Sequence, residues 1–432
     1  MRDIKVFLFV LLLVNLPLST TYAEDNQATC DKNKQSSLTL SYALALTLEN
    51  NPELKACSIE IKAAWARELQ ASLRPNPELE IELEEFGGSG EASGFDSAET
   101  NIVLSQLIER GGKLEKRKRV ASIDRKLADL ESQSKKLEIF SETSKAFVDV
   151  LSAQEMVKLS KELLRLSKES YNAVSKRVDA GKDSPIEKTK ASIILANSRI
   201  SYEQSQRKLE YARKKLCTFW AADSLGFKDV SGDLGNMGRL IAMEDVAEKL
   251  QLNPEYIMHV TEITKQKAIL DLERSNAKSD ITLGAGVKRS NETDDNTFMI
   301  GISIPLPISN RNQGAKKEAF YNLQKSREEK KAGLMKLKNE FNEAYQEYVN
   351  SYNLALSLKK DVLPASVEMY DLTKEAYEEG KVDYLELLDA QRTFFEVKNE
   401  YVETLTSYHE SKIELESYIS STIQTKNISE SE

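Results

Sequence analysis

The sequence predicts a mainly α-helical protein with a small amphipathic β portion, and three observations carry this prediction. Residues 113–180 contain neither proline nor glycine, and a continuous helix of that length would be roughly 100 Å long at about 1.5 Å per residue. Four short segments alternate apolar and polar residues, as strands with one apolar face do. The second half of the chain also repeats the first, so each element is expected twice.

The composition fits long helices joined by few turns and excludes several classes of function. Charged residues make up 30% of the chain, which has only 17 glycines and 9 prolines among 432 residues. The net charge of -9 argues against nucleic acid as a partner. His259 and His409 lie far apart and no cysteines are closely paired, so a stable transition-metal site is not expected. No phosphate loop, metalloprotease helix or serine elbow is present, so the sequence predicts no catalytic residue and no cofactor.

The first 23 residues have the features of a secretory signal peptide. Arg2 and Lys5 precede an apolar run over 6–14, and Thr21-Tyr22-Ala23 has the small residues that signal peptidase prefers. A lipidated start at Cys30 is the competing interpretation, although residues 27–29 lack the usual apolar residue three places earlier. No later stretch approaches the roughly 20 apolar residues of a spanning helix, so any membrane crossing must use strands.

The two cysteines beyond Cys30 are Cys57 and Cys217, and both lie on predicted helices. An oxidising compartment would allow a disulfide between them. Two free, small apolar side chains are the alternative, and the sequence does not decide between the two.

After a polar lead over 24–37, the first repeat is expected to span 38–222. Thr39 can cap a helix that ends before the two prolines at 75 and 77. Strands are predicted at about 79–86 and 100–108, a long helix at about 113–180 and a return helix at about 185–219. Gly181 is a natural left-handed helix end, and Ser184-Pro185 supplies a cap and a first-turn proline, so the return helix must run back antiparallel.

A glycine-rich linker over 223–238 separates this repeat from a second one over 239–422. Asn51-Pro52-Glu53 returns as Asn253-Pro254-Glu255, 202 residues later, and Gly181-Lys182 returns as Gly380-Lys381, 199 residues later. The predicted elements are strands at about 280–288 and 297–305, a long helix at about 314–379 with a break at Pro364, and a return helix at about 383–420. A polar tail over 423–432 follows.

The strands have a length and pattern that suit an outer membrane. Strands of about eight to ten residues can cross it at a tilt, but four strands cannot close around a water-filled lumen. Three chains would supply twelve, and their long helices would form a second, helical tube. The apolar faces would then contact lipid, while three acids of the first strand, Glu80, Glu82 and Glu84, would face the lumen and disfavour anions. A solvated acidic face without a selectivity role is the alternative.

Several stretches resemble the TolC family of trimeric outer-membrane efflux ducts. They are Asn51-Pro52-Glu53-Leu54, the run at 75–79, Leu104-Ser105-Gln106 leading to Arg110-Gly111-Gly112-Lys113, and the run at 305–314. The strand-to-helix junctions are most similar to the cation-efflux, CzcC-like branch. The resemblance implies a trimeric α-barrel joined to a 12-stranded outer-membrane β-barrel, with four strands per chain.

The resemblance also implies where partners and a gate would lie. Both tight helical turns would sit at the periplasmic end, where a periplasmic adaptor of an inner-membrane RND-type pump docks. The residues expected at this adaptor-facing tip are Gly181, Lys182, Ser184, Pro185, Gly380, Lys381 and Val382. The pinched end of the tube would be lined by Glu386 and Asp389, while Tyr377 would hold the gate closed with Glu187 as its acidic partner. Val382 stands where the family carries a latch arginine, so that salt bridge cannot form here.

The sequence thus predicts a passive exit duct in the outer membrane that extends into the periplasm, with heavy-metal cations as the expected cargo. A drug or general-substrate duct of the same family is the first alternative. A periplasmic coiled-coil scaffold or adaptor is the second, although an adaptor should carry one helical hairpin flanked by compact β domains, and this chain has two hairpins.

Overall fold

A computed structural model of the chain describes residues 37–90, 93–243 and 248–419. The signal peptide predicted over 1–23, all but the last residue of the polar lead over 24–37, the lipidation alternative at Cys30 and the polar tail over 423–432 lie outside the described residues.

The first half contains two strands between helices, in the predicted order. Its elements are β1 (Ser37–Leu38), α1 (Leu40–Asn50), α2 (Pro52–Ala71), β2 (Glu78–Glu84), β3 (Glu99–Ile108), α3 (Lys113–Asp179) and α4 (Pro185–Thr218). The 67 residues of α3 begin at the predicted position and end one residue before the predicted one. β2 ends two residues earlier than predicted because Glu85 adopts a left-handed backbone conformation (φ 54°) that stops the strand.

The second half repeats this order after a short strand in the linker. Its elements are β4 (Asp229–Val230), a 3₁₀ turn (Glu248–Leu252), α5 (Pro254–Asn276), β5 (Ile281–Ser290), β6 (Asp295–Ser303), α6 (Gln313–Ser357), α7 (Leu363–Glu378) and α8 (Tyr384–Ile419). A π-helical turn, Leu358–Val362, joins α6 to α7. This is the break predicted at Pro364, since proline lacks an N–H and its ring crowds the carbonyl four residues earlier.

The repeated asparagines have the same structural role in both halves. The side-chain oxygen of Asn51 accepts from Glu53 N at 2.9 Å and caps α2, while its Nδ2 donates to Phe219 O at 2.8 Å. Asn253 caps α5 through Glu255 N at 2.8 Å and donates to Tyr418 O at 3.0 Å. Each asparagine therefore ties the start of a short helix to the end of the return helix of the same repeat.

Small side chains set the spacing between α3 and α4. Ser167 bonds to Ser198 at 2.8 Å and, one heptad away, Ser160 bonds to Ser205 at 2.7 Å. These hydroxyl pairs let the two backbones approach closely and satisfy their own hydrogen bonds. In the row of long helices, α4 contacts α3, α3 contacts α8, and α8 contacts α6 and α7.

The linker is not the free spacer that its glycines suggest. β4 pairs in parallel with β1, an arrangement that was not predicted. The amide of Gln154 on α3 donates to Val230 O at 3.1 Å and accepts from Val230 N at 2.8 Å, and Tyr348 of α6 donates to Arg239 O at 3.3 Å. We call residues 229–241 the belt, because this segment packs across the long helices of both repeats.

The four longer strands form one antiparallel sheet in the order β2-β3-β5-β6. In register, Leu79 lies beside Leu104, Leu104 beside Ala285, and Ala285 beside Ile300. One face is therefore apolar across all four strands, and its outermost side chains, Phe298 and Ile300, are 89% and 87% exposed. Gly286 has no side chain where a Cβ would lie 2.4 Å from the carbonyl oxygen of Ile102, so it permits the close β3–β5 contact.

Two further expectations concern the cysteines and spanning helices. Cys57 and Cys217 are both free thiols, and burial raises the pKa of Cys217 to about 11. Within the described residues, no helix combines the length and apolar character required to span a bilayer.

Candidate gate and helical tips

The two helix-to-helix turns have the same geometry. Gly181 and Gly380 have φ values of 69° and 78°, which suit glycine at a left-handed helix end. Lys182 N donates to Arg177 O at 2.8 Å in the first turn, and Lys381 N donates to Ala376 O at 2.8 Å in the second. We call these turns, residues 180–187 and 379–386, the first and second tips.

The caps that start the return helices differ in chemistry but not in function. Ser184 accepts from Ile186 N at 3.2 Å with Pro185 as the first helical residue. In the second tip Asp383 accepts from Leu385 N at 2.9 Å. Among the predicted tip residues, Gly181, Lys182, Ser184, Pro185, Gly380 and Lys381 are exposed, whereas Val382 is half-buried against the apolar cluster beneath the tips.

One cation, one carboxylate and one phenol connect the two helical hairpins close to their tips. Arg177 binds Asp183 through two hydrogen bonds of 2.8 and 3.0 Å, and the side chain of Asp183 is only 8% exposed. Tyr377 donates its hydroxyl to the same carboxylate at 3.3 Å. The guanidinium also lies 4.9 Å from the centre of the Tyr377 ring and donates to Tyr377 O at 3.4 Å. We call Arg177, Asp183 and Tyr377 the clamp.

The clamp corrects one sequence-based expectation. Glu187 was expected to be the acidic partner of Tyr377, but the hydroxyl of Tyr377 bonds to Asp183. The reason is position: Asp183 lies in the turn itself, facing the ring, whereas Glu187 is already in the first turn of α4. Arg177 and Asp183 were not predicted at all. The only signal in the sequence was a basic residue shortly before the first-turn glycine and an acid shortly after it.

Protonation states at the tips favour the clamp at neutral pH. The Arg177 hydrogen bond holds the pKa of Asp183 below its usual value, so this group is an ionised acceptor. Burial, and then the charge of Asp183, raise the pKa of Tyr377 to about 12, so its hydroxyl keeps the proton that it donates. Burial raises the pKa of Glu187, and the charges of Asp183 and Asp383 raise it further.

A cluster of apolar side chains from both hairpins packs next to the clamp. Tyr377 and Tyr384 are buried with their ring centres 6.0 Å apart, and Tyr370 stacks on Phe394 at 5.3 Å. Leu166 and Val174 of α3 belong to the same cluster. The two tips thus share one apolar core, which fixes the position of the Tyr377 hydroxyl relative to the first tip.

The predicted pore acids lie on the open face of α8. Glu386 and Asp389 are exposed, three residues apart, while the residue that follows each of them, Leu387 and Ala390, is buried against neighbouring helices. The geometry therefore presents both carboxylates on the same side of the helix, away from the core of the chain.

The acids of the first strand share the face of the sheet opposite the apolar one. Glu80 lies beside Val103 and Glu82 beside Asn101. Asn101 donates to Glu84 at 3.1 Å, and Lys288 forms an ion pair with Glu99 on the same face. Across the described ranges, no cluster of three or more His, Cys, Asp or Glu side chains is arranged to hold a metal ion.

Comparisons with known proteins agree with this architecture. The chain matches the family described as "Outer membrane efflux protein" over residues 43–222 and 249–421. It is 32% identical over 368 residues to the cobalt-zinc-cadmium resistance protein CzcC of Cupriavidus metallidurans, covering 85% of this chain and 86% of that one.

Solved structures show the same fold at low identity. A crystal structure of CusC is 16% identical and covers 88% of this chain and 91% of that chain, with a TM-score of 0.72. The Campylobacter jejuni CmeC outer membrane channel is 16% identical and covers 88% and 85%, with a TM-score of 0.73. The open-state Neisseria gonorrhoeae MtrE outer membrane channel is 18% identical and covers 88% of both chains, with a TM-score of 0.73.

These matches confirm the predicted resemblance and the predicted TolC-like fold of paired helical hairpins with a four-stranded sheet. The family matches in two segments that correspond to the two repeats. The chain belongs to the outer membrane efflux protein family and is an outer-membrane channel protein of efflux systems.

Proposed function

We propose that three copies of this chain form an outer-membrane exit duct that conducts solutes passively, without catalysis, for an inner-membrane RND-type pump and a periplasmic adaptor. The sheet carries this proposal. Its edge strands, β2 and β6, have no partner among the described residues, and one of its faces is apolar and exposed across all four strands. Pairing β6 of one copy with β2 of the next would remove both edges, and lipid would cover the apolar face.

The helices support the same assembly. Two exposed isoleucines lie seven residues apart on α4, at Ile193 and Ile200, which is the spacing of a helix–helix seam. At the other end of the helical row, Val362, Met369 and Leu372 are exposed on or just before α7. Because α4 and α7 lie at opposite ends of the row, a neighbouring copy would cover both apolar stripes at once.

The two tips are the proposed adaptor contact. Each tip presents an exposed aliphatic side chain at the second residue of its return helix, Ile186 at 65% and Leu385 at 50% exposure. Lys182 and Lys381 flank these side chains at matching positions. Two similar tips per chain would give a trimer six quasi-equivalent contacts, formed by the predicted tip residues Gly181, Lys182, Ser184, Pro185, Gly380, Lys381 and Val382.

Glu386 and Asp389 are the proposed pore acids, and the clamp is the proposed closed-state contact. Three copies would bring six carboxylates to a common axis, where they would attract cations and repel anions. The acids Glu80, Glu82 and Glu84 would give the same preference to the outer, β-lined part of the lumen.

Metal cations are the proposed cargo, because the relative with 32% identity is named for cobalt-zinc-cadmium resistance. The test is growth of a deletion strain on cobalt, zinc and cadmium salts, with the wild-type gene and the Ile193→Lys variant as complements. Ser192→Lys is the matched control, since Ser192 is the exposed neighbour of Ile193 on another face of α4.

The wild type and Ser192→Lys should restore metal tolerance and run as trimers after cross-linking in detergent, and Ile193→Lys should do neither. A wild-type protein that stays monomeric and dissolves without detergent would reject the duct. A trimeric wild type that leaves metal tolerance unchanged would reject the cargo and leave the general-substrate duct as the function.

A further inference from the structure

A large groove lies between α4 and α8, with α3 as its floor. Its volume is about 1060 Å³, at the upper end of the range that drug-sized ligands occupy. Its floor and walls carry apolar side chains from all three helices, namely Ala153, Met156, Leu159, Leu163, Ala212, Leu388 and Phe395. Small serines of α4 keep the groove open along one side, since neither Ser201 nor Ser205 fills it.

The groove opens on the side of the helices opposite the belt. On α3, Gln154 bonds to Val230 of the belt and Leu151 packs against Gly232. The groove is lined by Ala153, Met156 and other residues that lie about half a turn away on the same helix, at roughly 100° per residue. A hollow duct must keep its interior open, so in the proposed trimer the belt lies outside and the groove faces the lumen.

One polar group in the groove has no partner. Gln391 of α8 lines the groove, the residue is only 3% exposed, and its covered Nε2 meets no hydrogen-bond acceptor within the described residues. A buried N–H without an acceptor destabilises a fold, so such groups are rare unless something else supplies the acceptor. Two carboxylates that line the groove accept from other groups instead, Glu396 from Arg392 at 2.7 Å and Asp149 from Lys215 at 2.9 Å.

From these observations we infer that the groove is a binding site for uncharged organic amphiphiles in transit through the lumen. The ligand would have an apolar body of two or three rings against Met156, Leu159 and Phe395, and a carbonyl or ether oxygen that accepts from Gln391 Nε2 once this covered amide turns toward the groove. The lining carries three acids and three bases, so it offers no net charge to an ionic ligand. Its acids are not among any described group of side chains that could hold a metal ion. The lumenal position rests on the proposed function, but the groove and its free amide do not.

Benzophenone is a suitable probe, because it has two rings, one carbonyl acceptor and a light-activated group that inserts into nearby C–H bonds. The assembled protein in lipid nanodiscs would be irradiated with increasing benzophenone, and adducts would be located by mass spectrometry of peptides. Saturable labelling of Met156 is expected. Ser201→Trp, which fills the groove, should lower it at least about tenfold, whereas Ser192→Trp, on the opposite face of α4, should leave it unchanged.

Gln391→Leu tests the hydrogen bond separately. This change replaces an unpartnered buried amide by an apolar side chain of similar size, so the fold should be retained. Labelling of Met156 should fall about two- to tenfold, which is the loss in affinity expected when one hydrogen bond to the ligand is removed. The site would be overturned if Met156 were labelled equally in the wild type and Ser201→Trp, or if Ser192→Trp lost as much labelling as Ser201→Trp. Adducts found only on the strands and never on the helices that line the groove would also overturn the site, because they would mean that a neighbouring copy or a partner helix covers the groove.

Ion conductance measured on the same samples separates the two proposals. A preparation that conducts ions but is not labelled at Met156 refutes the groove and leaves the duct intact. A preparation that neither conducts ions nor runs as a trimer after cross-linking refutes the duct itself.

Discussion

Arg177→Gln should open the proposed gate, because Arg177 alone makes three of the four contacts that define the clamp. It binds Asp183, donates to Tyr377 O and lies over the Tyr377 ring at 4.9 Å. Asp183 lies in the first tip and Tyr377 lies on α7 just before the second tip, about 200 residues away in the chain. If the second tip moves away from the first when the duct opens, the two Arg177–Tyr377 contacts exist only in the closed state, so Arg177→Gln destabilises that state and not the open one.

The magnitude follows from burial. The Arg177 side chain is 28% exposed, and its ion pair with Asp183 lies within the first hairpin. We therefore assign the link between the tips about 0.5–1 kcal/mol from the hydrogen bond to Tyr377 O and about 0.5–1 kcal/mol from the cation–π contact. Arg177→Gln is therefore expected to cost the closed state about 1–2 kcal/mol per chain, which shifts its closed-to-open ratio about 5- to 30-fold. Tyr377→Phe removes only a 3.3 Å hydrogen bond and should shift the ratio less.

Single-channel recording in planar bilayers measures this shift directly as open probability or mean conductance. Arg165→Gln is the matched control, since Arg165 lies on the same helix in an exposed pair with Glu169 at 2.7 Å, worth about 0.3–0.5 kcal/mol. The pKa of Asp183 is depressed below 3.8, so the clamp should hold at neutral pH and weaken only as pH falls through that lowered value. Identical conductance for the wild type, Arg177→Gln and Arg165→Gln would refute the clamp as a gate.

Three further predictions test other parts of the structure. Glu386→Gln combined with Asp389→Asn should reduce cation preference, and unchanged reversal potentials in a salt gradient would contradict their place in the pore. Ser167→Leu places a large side chain in the α3–α4 seam, where Ser167 bonds to a serine at 2.8 Å, and should cost about 1–3 kcal/mol by overpacking; an unchanged thermal midpoint would show that the seam tolerates it. Burial, and then a nearby carboxylate, raise the pKa of Glu410 from 4.5 to about 7. The wild type should therefore lose stability as pH rises through about 7, and Glu410→Gln should flatten this dependence in melting curves at pH 5 and pH 8.

Local rules explain why so much of the fold was predictable. A run without proline or glycine, closed by a glycine at Gly181, specifies a long helix and its end wherever it occurs. Alternating residues specify a strand with two unlike faces, and the structure places Leu79 and Ile81 on one face and Glu80 on the other. The repeat of Asn51 at Asn253 indicated a duplicated fold even before the shared role of the two caps was known.

The contacts across long sequence separations were not predictable in the same way. Helical periodicity indicates which face of α3 is apolar, but not that Gln154 would meet Val230 of a glycine-rich linker. The same limit explains the wrong partner for Tyr377, because Asp183 and Glu187 are both acids close to the first tip. Which of them faces the ring depends on the angle between two hairpins, and no local pattern encodes that angle.

By itself, the sequence determined two long-helix hairpins, four one-sided strands and two glycine-capped tips, because each depends on residues within a few turns of one another. Tertiary structure decided how these parts meet: the pairing of β1 with β4, the belt, the clamp formed by Arg177, Asp183 and Tyr377, and the groove in which Gln391 is buried. Those features depend on packing between segments tens to hundreds of residues apart. Such packing selects one partner among several that are chemically equivalent in the sequence.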